Sequence, residues 1–406
     1  MKQPLEDIRI LDLSRVYAAP AGSMILADLG ADVIRIEPPE GSDSMREWGP
    51  FVNGESTYYF SANRNKRSIT LNLKEEQGKN IFLNLVKKAD IVLENFKTGT
   101  MDRLGLSYDD LKQVNNQIIM CSVTGFGQTG PHKSAPGFDP VIQALSGLMD
   151  VTGDPDGEPT KVGVPIADIL TSNYVAISIM SAIRMRDINQ EGQHIDLSLL
   201  DVQISSLANV SSSYLNAGEI SKRVGNSHNN VVPYQVFHCQ DHPIMLCAGN
   251  NGLYVKLCNV LGRPEWATDP RYCTNDKRLE NEEELVKKIK EIMKRKTADE
   301  WLHLFNEAKI PAGKVNTIDQ AFDHPQIQDR ETVEVLTHPI VGKIKMTKSP
   351  MRFSNLNISS KYAPPLLGEH TEEILTEEFG YNLKELKELR EKNVISYKDF
   401  DEILDR

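Results

Sequence analysis

Residues 8–37 read IRILDLSRVYAAPAGSMILADLGADVIRIE, and the parsing of this stretch decides the fold. IRILDLS is a short, mostly apolar run of the kind a buried strand shows. APAGSMILADLG follows with helical spacing and has Gly30 at its end, where a helix commonly stops. ADVIRIE then reads as a second strand. Together they make a βαβ unit, which predicts parallel pairing of its two strands.

The same alternation continues outward. RSITLNL is strand-like, EEQGKNIFLNLVKKA has helical spacing, and DIVLENF and QIIMCSV are further strands. Strands separated by helices predict an α/β fold with a largely parallel sheet covered on both faces. A single helix is expected over LSLLDVQISSLANVSSSYLNAG. Near residue 220 the texture changes to short strands and amphipathic helices, with Leu285, Val286, Ile289, Ile292 and Met293 on one face. TADE before WLHLF is a capping box. TVEVLTHPI and GKIKMTKSPM return to β-like patterning before a Lys/Glu-rich helix. The expected organisation is a large domain over 1–205, a smaller α+β domain over 220–325, and a return to the large domain over 326–406.

The chain has 406 residues with a net charge of −11, the wrong sign for a surface that must displace counterions from nucleic-acid phosphates. MKQPLEDIRI has Pro4, Glu6 and Asp7 where an export signal needs an apolar core. YVAISIMSAI is half a membrane span and is followed by Arg184 and Arg186, so it is expected as a buried core helix. Five cysteines without CxxC spacing fit free thiols in the cytoplasm. The nine histidines suggest no metal site. No nucleic-acid or membrane partner is expected.

GFGQTG, residues 125–130, matches GxGxxG after a strand. A dinucleotide fingerprint also needs a helix to begin within it. Pro131, Pro136 and Pro140 follow, so the segment is expected as a loop.

VGVPIADILTSNYVAISIM places Asp168 at the start of a long apolar run. An aspartate there is ordinarily a helix cap worth about 1 kcal/mol. A carboxylate at a helix amino terminus is also held in its ionised form by the dipole and backbone N–H groups. Such a group can attack an acyl centre as a covalent nucleophile. Both roles fit the position, and spacing alone does not separate them.

Several ordered blocks resemble one known group, the class III CoA-transferases, also called the carnitine dehydratase and bile-acid-inducible family. They are residues 11–37, NRNKRSITLNLK, DIVLENFKTGTMDRLGL, SVTGFGQTGP, GFDPVIQALSGLM, VPIADIL, GNSHNNVVPYQVF, IPAGKVNTI and PPLLGEHT. The resemblance covers nearly the whole chain. It implies a Rossmann-like large domain, discontinuous in sequence, plus a small one, in an interlocked homodimer. It implies acyl-CoA and carboxylic acid substrates, with no tightly bound cofactor. Asp168 matches the family's nucleophile, which passes through an aspartyl anhydride and an aspartyl-CoA thioester. Gly249 and Gly252 in AGNNGLY match a loop that covers the site. CoA contacts carry over to Val16, Ala18, Leu71, Asn72, Leu73, Lys74, Asn95, Phe96 and Arg103. Arg64, Lys66, Arg67 and Lys74 form a local basic cluster suited to phosphates. Pro38 stands where formyl-CoA transferases have an arginine, so one phosphate contact must be replaced or lost.

The racemase branch of the family resembles this chain too, but it has a His-Asp pair where this chain has Phe138 and Asp139. Phenylalanine cannot accept a proton, which favours transfer over two-base racemisation; Phe138 is instead expected either to pack on CoA or the acyl chain or to be an ordinary core residue. The GNSHNNVVPYQVF block resembles the branch using succinyl-CoA or related dicarboxylic acyl-CoAs. A second carboxylate wants an arginine, for which Arg46 and Arg223 are the candidates. A CoA-binding protein without turnover is the reading from a different class, and the intact Asp168 block argues against it.

Overall fold

In the computed structural model, which describes residues 2–397, the chain divides into two compact units. The first is made of residues up to Ser146, Gly163–Ala208 and the chain from Glu331 onward; the second is Gly147–Val162 and Asn209–Arg330. Residues 147–162, within the first stretch of the expected organisation, therefore group with the second unit.

The first unit is built on six strands: β1 (Arg9–Asp12), β2 (Asp32–Glu37), β3 (Lys66–Thr70), β4 (Ile91–Glu94), β5 (Ile119–Thr124) and β6 (His194–Ser198). Their order across the sheet is β3-β2-β1-β4-β5-β6, and every pairing is parallel. Ile10 lies between Val33 and Ile91 in register. This is the doubly wound order, in which the chain starts mid-sheet, runs to one edge, returns and runs to the other.

The near-continuous apolar strands follow from burial on both faces. Leu11, Ile34, Val92 and Met120 join one core with Phe82, Leu85 and Leu386. Their neighbours Ile10, Val33, Ile91 and Cys121 point the other way, into a core with helices α1 (Ala18–Asp28) and α3 (Ile166–Asn189). α1 and α3 pack closely because Gly22 has no side chain: a Cβ there would lie 2.6 Å from Val175 Cβ. A short helix, α2 (Asp139–Leu145), precedes α3.

Two expectations change. α3 is not wholly buried. Ala167, Thr171, Val175, Ala176, Ile179 and Ala182 form its buried stripe, while Tyr174, Ile177, Met180, Met185 and Ile188 are exposed. It is long and apolar enough to cross a membrane by length and composition, with 39% of that window buried. The helix expected over 197–218 is instead the end of β6 followed by two helices, Leu199–Ser205 and Ala208–Ala217, with Ala208 at φ 48°. Ser198 caps the first through the Asp201 N–H.

The second unit carries a three-stranded antiparallel sheet in the order Ala312–Lys314, Pro243–Cys247, Tyr234–His238. The amphipathic helix forms as Glu282–Met293 with its five apolar residues buried. Thr297 and Glu300 make the expected capping box. In the first unit, Val333–His338 and Gly342–Thr347 pair as an antiparallel hairpin.

Candidate functional site

Parallel sheets of this order open a crevice at the carboxyl ends of the strands where the winding reverses. Here that point lies between β1 and β4, and the loops after them are joined directly. Asn95 Oδ1 accepts the Arg15 N–H at 2.8 Å, and Asn95 Nδ2 donates to the Arg15 carbonyl at 2.7 Å. The next residue, Val16, has φ 60° and donates its N–H to Asp43 Oδ1 at 3.0 Å. A β-branched residue in the left-handed region costs about 1–3 kcal/mol. Its neighbours fix that conformation on both sides.

A cavity of about 430 Å³ lies over these loops. Of the residues expected at the site, Asp168, Val16, Ala18, Asn95, Phe96 and Phe138 line it. The Phe138 side chain is exposed. Leu71, Asn72, Leu73, Lys74 and Arg103 are not among its lining residues. Leu71 is buried in the sheet core and the Asn72 N–H bonds the Val394 carbonyl. Lys74 is exposed, and Arg103 bonds Thr100 Oγ1 at 2.8 Å. Gly249 and Gly252 belong to the second unit. There the Gly249 carbonyl accepts from the buried Arg278, and Gly252 lies in the first turn of helix Asn251–Val260, capped by Asn250.

The cap of α3 is not Asp168. The residue before the helix is Pro165, and Asp168 stands in its first turn. The capping carboxylate comes from α2: Asp139 Oδ1 accepts the Ala167 N–H at 2.7 Å and the Asp168 N–H at 3.4 Å. Among the described residues, no hydrogen bond to the Asp168 carboxylate is seen. Burial, and then the Asp139 charge, push its pKa up from 3.8 to about 7. The expectation that helix N–H groups hold Asp168 ionised is therefore corrected, because Asp139 takes those groups. Tyr17 and Tyr58 flank the acid, their rings 6.2 Å apart edge to face. Burial raises both phenols, and the Asp168 charge adds to the shift in each.

The glycines of GFGQTG form a loop after β5, as expected. Their use is close approach: a Cβ on Gly125 would lie 2.6 Å from the Gly137 Cα. This contact brings Phe138 and Asp139 beside the end of β5.

The basic cluster is a second correction. Lys66 is fully buried and donates to Asp12 Oδ2 at 3.1 Å, to the Pro20 carbonyl at 2.8 Å and to Asn63 at 3.0 Å. Burial lowers its pKa to about 8 despite Asp12. Arg64 pairs with Asp28, and Arg67 with Asp32 at 2.8 Å. These cations are consumed inside the protein, and only Lys74 of the cluster remains exposed. The dicarboxylate candidates are also engaged. Arg46 bonds Glu37 and Tyr59 at 2.8 and 2.7 Å, and Arg223 pairs with Asp150 at 3.1 Å.

The family model for CoA-transferase family III matches residues 5–371. This chain belongs to that family. The CoA-transferase is 39% identical over 394 residues to the succinyl-CoA:glutarate CoA-transferase of Homo sapiens, covering 97% of this chain and 90% of that one. It is 40% identical over 354 residues to the acetyl-CoA:oxalate CoA-transferase of Acetobacter aceti, covering 87% and 90%. A crystal structure of a CAIB/BAIF family protein from Brucella suis matches with TM-score 0.83 and 40% identity, covering 93% of this chain and all of that one. The family resemblance read from the motif blocks and the assignment as an enzyme both hold.

Sequence reasoning missed several residues of this candidate site. Arg15, Tyr17, Lys97, Thr98 and Lys133 also line the cavity. The signal for the first two was present: they follow the first strand of a βαβ unit, where the switch-point rule puts ligands.

Proposed function

We propose that this enzyme moves CoA from an acyl-CoA donor to a carboxylic acid acceptor through covalent intermediates on Asp168. The observation that carries the reading is that carboxylate: it lines the cavity, while Asp139 supplies the cap that Asp168 would otherwise provide. An ionised Asp168 oxygen attacks the donor thioester carbon, the C–S bond breaks, and CoA leaves as thiolate. The thiolate attacks the aspartyl carbonyl of the mixed anhydride, giving aspartyl-CoA and free donor acid. The acceptor carboxylate attacks aspartyl-CoA and expels thiolate. The thiolate then opens the second anhydride at the acceptor carbon and restores Asp168. No proton or phosphate is consumed, and each step exchanges one activated acyl group for another. The anhydrides need water excluded, which the flanking Tyr17 and Tyr58 rings favour.

Two of the relatives have a dicarboxylate in their names, glutarate and oxalate. They stand there as partners of succinyl-CoA and of acetyl-CoA, so the names support a short dicarboxylic acid as acceptor, and the first name alone supports succinyl-CoA as donor. Val16, Ala18, Asn95, Phe96 and Phe138 are proposed to contact CoA, because they share a cavity with the nucleophile. For Leu71–Lys74 and Arg103, and for a covering role of Gly249 and Gly252, the support is the family resemblance alone. A homodimer is supported by the exposed apolar residues of α3.

The test is intact-protein mass spectrometry after incubation with succinyl-CoA and then hydroxylamine, on wild type and Asp168→Ala. An adduct mapped to Asp168 and missing from the variant is expected. Failure of a panel of acyl-CoAs to form any adduct, with α-deuterium exchange from a methyl-branched acyl-CoA instead, assigns Asp168 as a base.

A further inference from the structure

Three successive peptide N–H groups after β1 are each taken by a side-chain oxygen. Asp12 Oδ1 accepts from Ser14 at 3.0 Å, Asn95 Oδ1 from Arg15 at 2.8 Å, and Asp43 Oδ1 from Val16 at 3.0 Å. The acceptors come from the end of β1, the loop after β4 and the loop after β2, so this segment is held from three sides. Val16 needs such holding, because a β-branched residue at φ 60° is strained and leaves that region when it is free to do so.

Two of the three acceptors belong to one buried network. Asp43 pairs through its other oxygen with Arg35, which is fully buried on β2. Arg35 also donates to Glu37 at 3.1 Å and to Asn63 Oδ1 at 3.2 Å. Asn63 Oδ1 accepts from Lys66 as well, and Lys66 reaches Asp12. The path from Asp12 through Lys66, Asn63 and Arg35 to Asp43 ties both carboxylates that hold the segment to buried cations. Breaking a buried ion pair leaves a charge uncompensated, so neither acid turns away from its cation readily.

The hold of Asp43 extends beyond Val16. The same Oδ1 accepts the Met45 N–H at 3.1 Å and starts the short turn Ser44–Glu47. Val16 is followed by Tyr17, and the turn is followed by Trp48. These two residues are the ends of a row of rings with Tyr58 between them, at 6.2 and 5.3 Å, both contacts edge to face. Tyr17 lines the cavity together with Asp168. We propose that Asp43, locked from behind by Arg35, is a positioning residue for the reaction: by holding Val16 and Met45 on one oxygen, it fixes both ends of the aromatic row beside Asp168.

Hydrogen exchange by mass spectrometry, with steady-state kinetics, tests this on wild type, Asp43→Asn, Val16→Gly and the double variant. Asp43→Asn keeps the side-chain shape and gives up the charge that Arg35 holds. Exchange is expected to quicken in residues 13–17 and 44–48 together while the strands stay protected, and kcat to fall roughly 10–100-fold with little change in KM. The kinetic arm rests on the reading of Asp168 as nucleophile. There, loosening the row wets Asp168, whose pKa of about 7 comes first from burial, so the rise of kcat/KM moves to lower pH. Glycine takes φ 60° without strain, so Asp43→Asn is expected to do less harm when combined with Val16→Gly, and the double variant carries the test should Asp43→Asn misfold. Unchanged exchange in the two segments overturns the proposal. Equal kcat loss with and without Val16→Gly overturns it too, as does a raised KM at unchanged kcat. Exchange that quickens equally throughout the sheet of the double variant also overturns it, assigning Asp43 to the fold alone. Wild type that forms no adduct on Asp168 overturns the nucleophile reading, and the exchange result then decides the role of Asp43 by itself.

Discussion

Asp168 and Asp139 share one helix terminus and divide its work. Asp139 accepts the free N–H groups, and its charge helps raise Asp168 to about 7. On the proposed function Asp168 attacks only when ionised, so kcat/KM for the acyl-CoA is expected to rise with pH through about 7 and level above it. Asp139→Asn removes the charge and retains an oxygen to cap α3, which moves that rise to lower pH; the pH-rate profile of the variant checks it. The same shift costs stability. Because the folded pKa of about 7 exceeds the ordinary 3.8, the native state binds a proton that the unfolded chain releases between those values. Stability therefore falls as pH rises through that window. Asp168→Asn is expected to raise the melting temperature at pH 8, with a ceiling of about 4 kcal/mol, and to have no effect below about pH 4. Equal melting at pH 8 would contradict the assignment.

At the scale of elements, the site is made by loops that backbone contacts hold in place. The β5 loop approaches the start of α2 as closely as it does because Gly125 and Gly137 both lack a side chain. Gly137→Ala puts a methyl 2.6 Å from the Gly125 Cα, and backbone on both sides leaves no flexible atom to yield. The expected result is a loss of about 1–3 kcal/mol in urea unfolding and a larger loss in kcat, because the displaced segment carries Asp139. Retained activity would mean that the loop has slack. The glycines were legible as a loop from the three prolines after them, since proline bars a helix. Their partner was not, because Gly137 is twelve residues away and the contact is tertiary.

For the whole molecule, strand and helix alternation made the α/β class and parallel sheet legible, since both patterns come from burying both faces. The exposed stripe of α3 was not legible: its composition is apolar all round, and only packing decides which face is covered. Those exposed residues give an expectation at this scale. Light scattering should give twice the chain mass for wild type, and Ile177→Asp should lower the dimer fraction by placing a charge in the contact. A monomeric wild type would leave the stripe unexplained by self-association.

The sequence by itself determined the class of fold and the family, and singled out the acid at position 168 as a candidate, because periodicity and ordered motif blocks are local properties of the chain. Tertiary structure decided which cations remain free and which acid caps α3. Arg64, Lys66 and Arg67 look like a phosphate site when read in a row, yet each meets its carboxylate from another strand or helix. Asp139 and Asp168 lie 29 residues apart and meet at one helix terminus. The physical reason is the same in both cases: a charge is defined by the groups within a few ångströms, and the chain brings those together only when the sheet has formed.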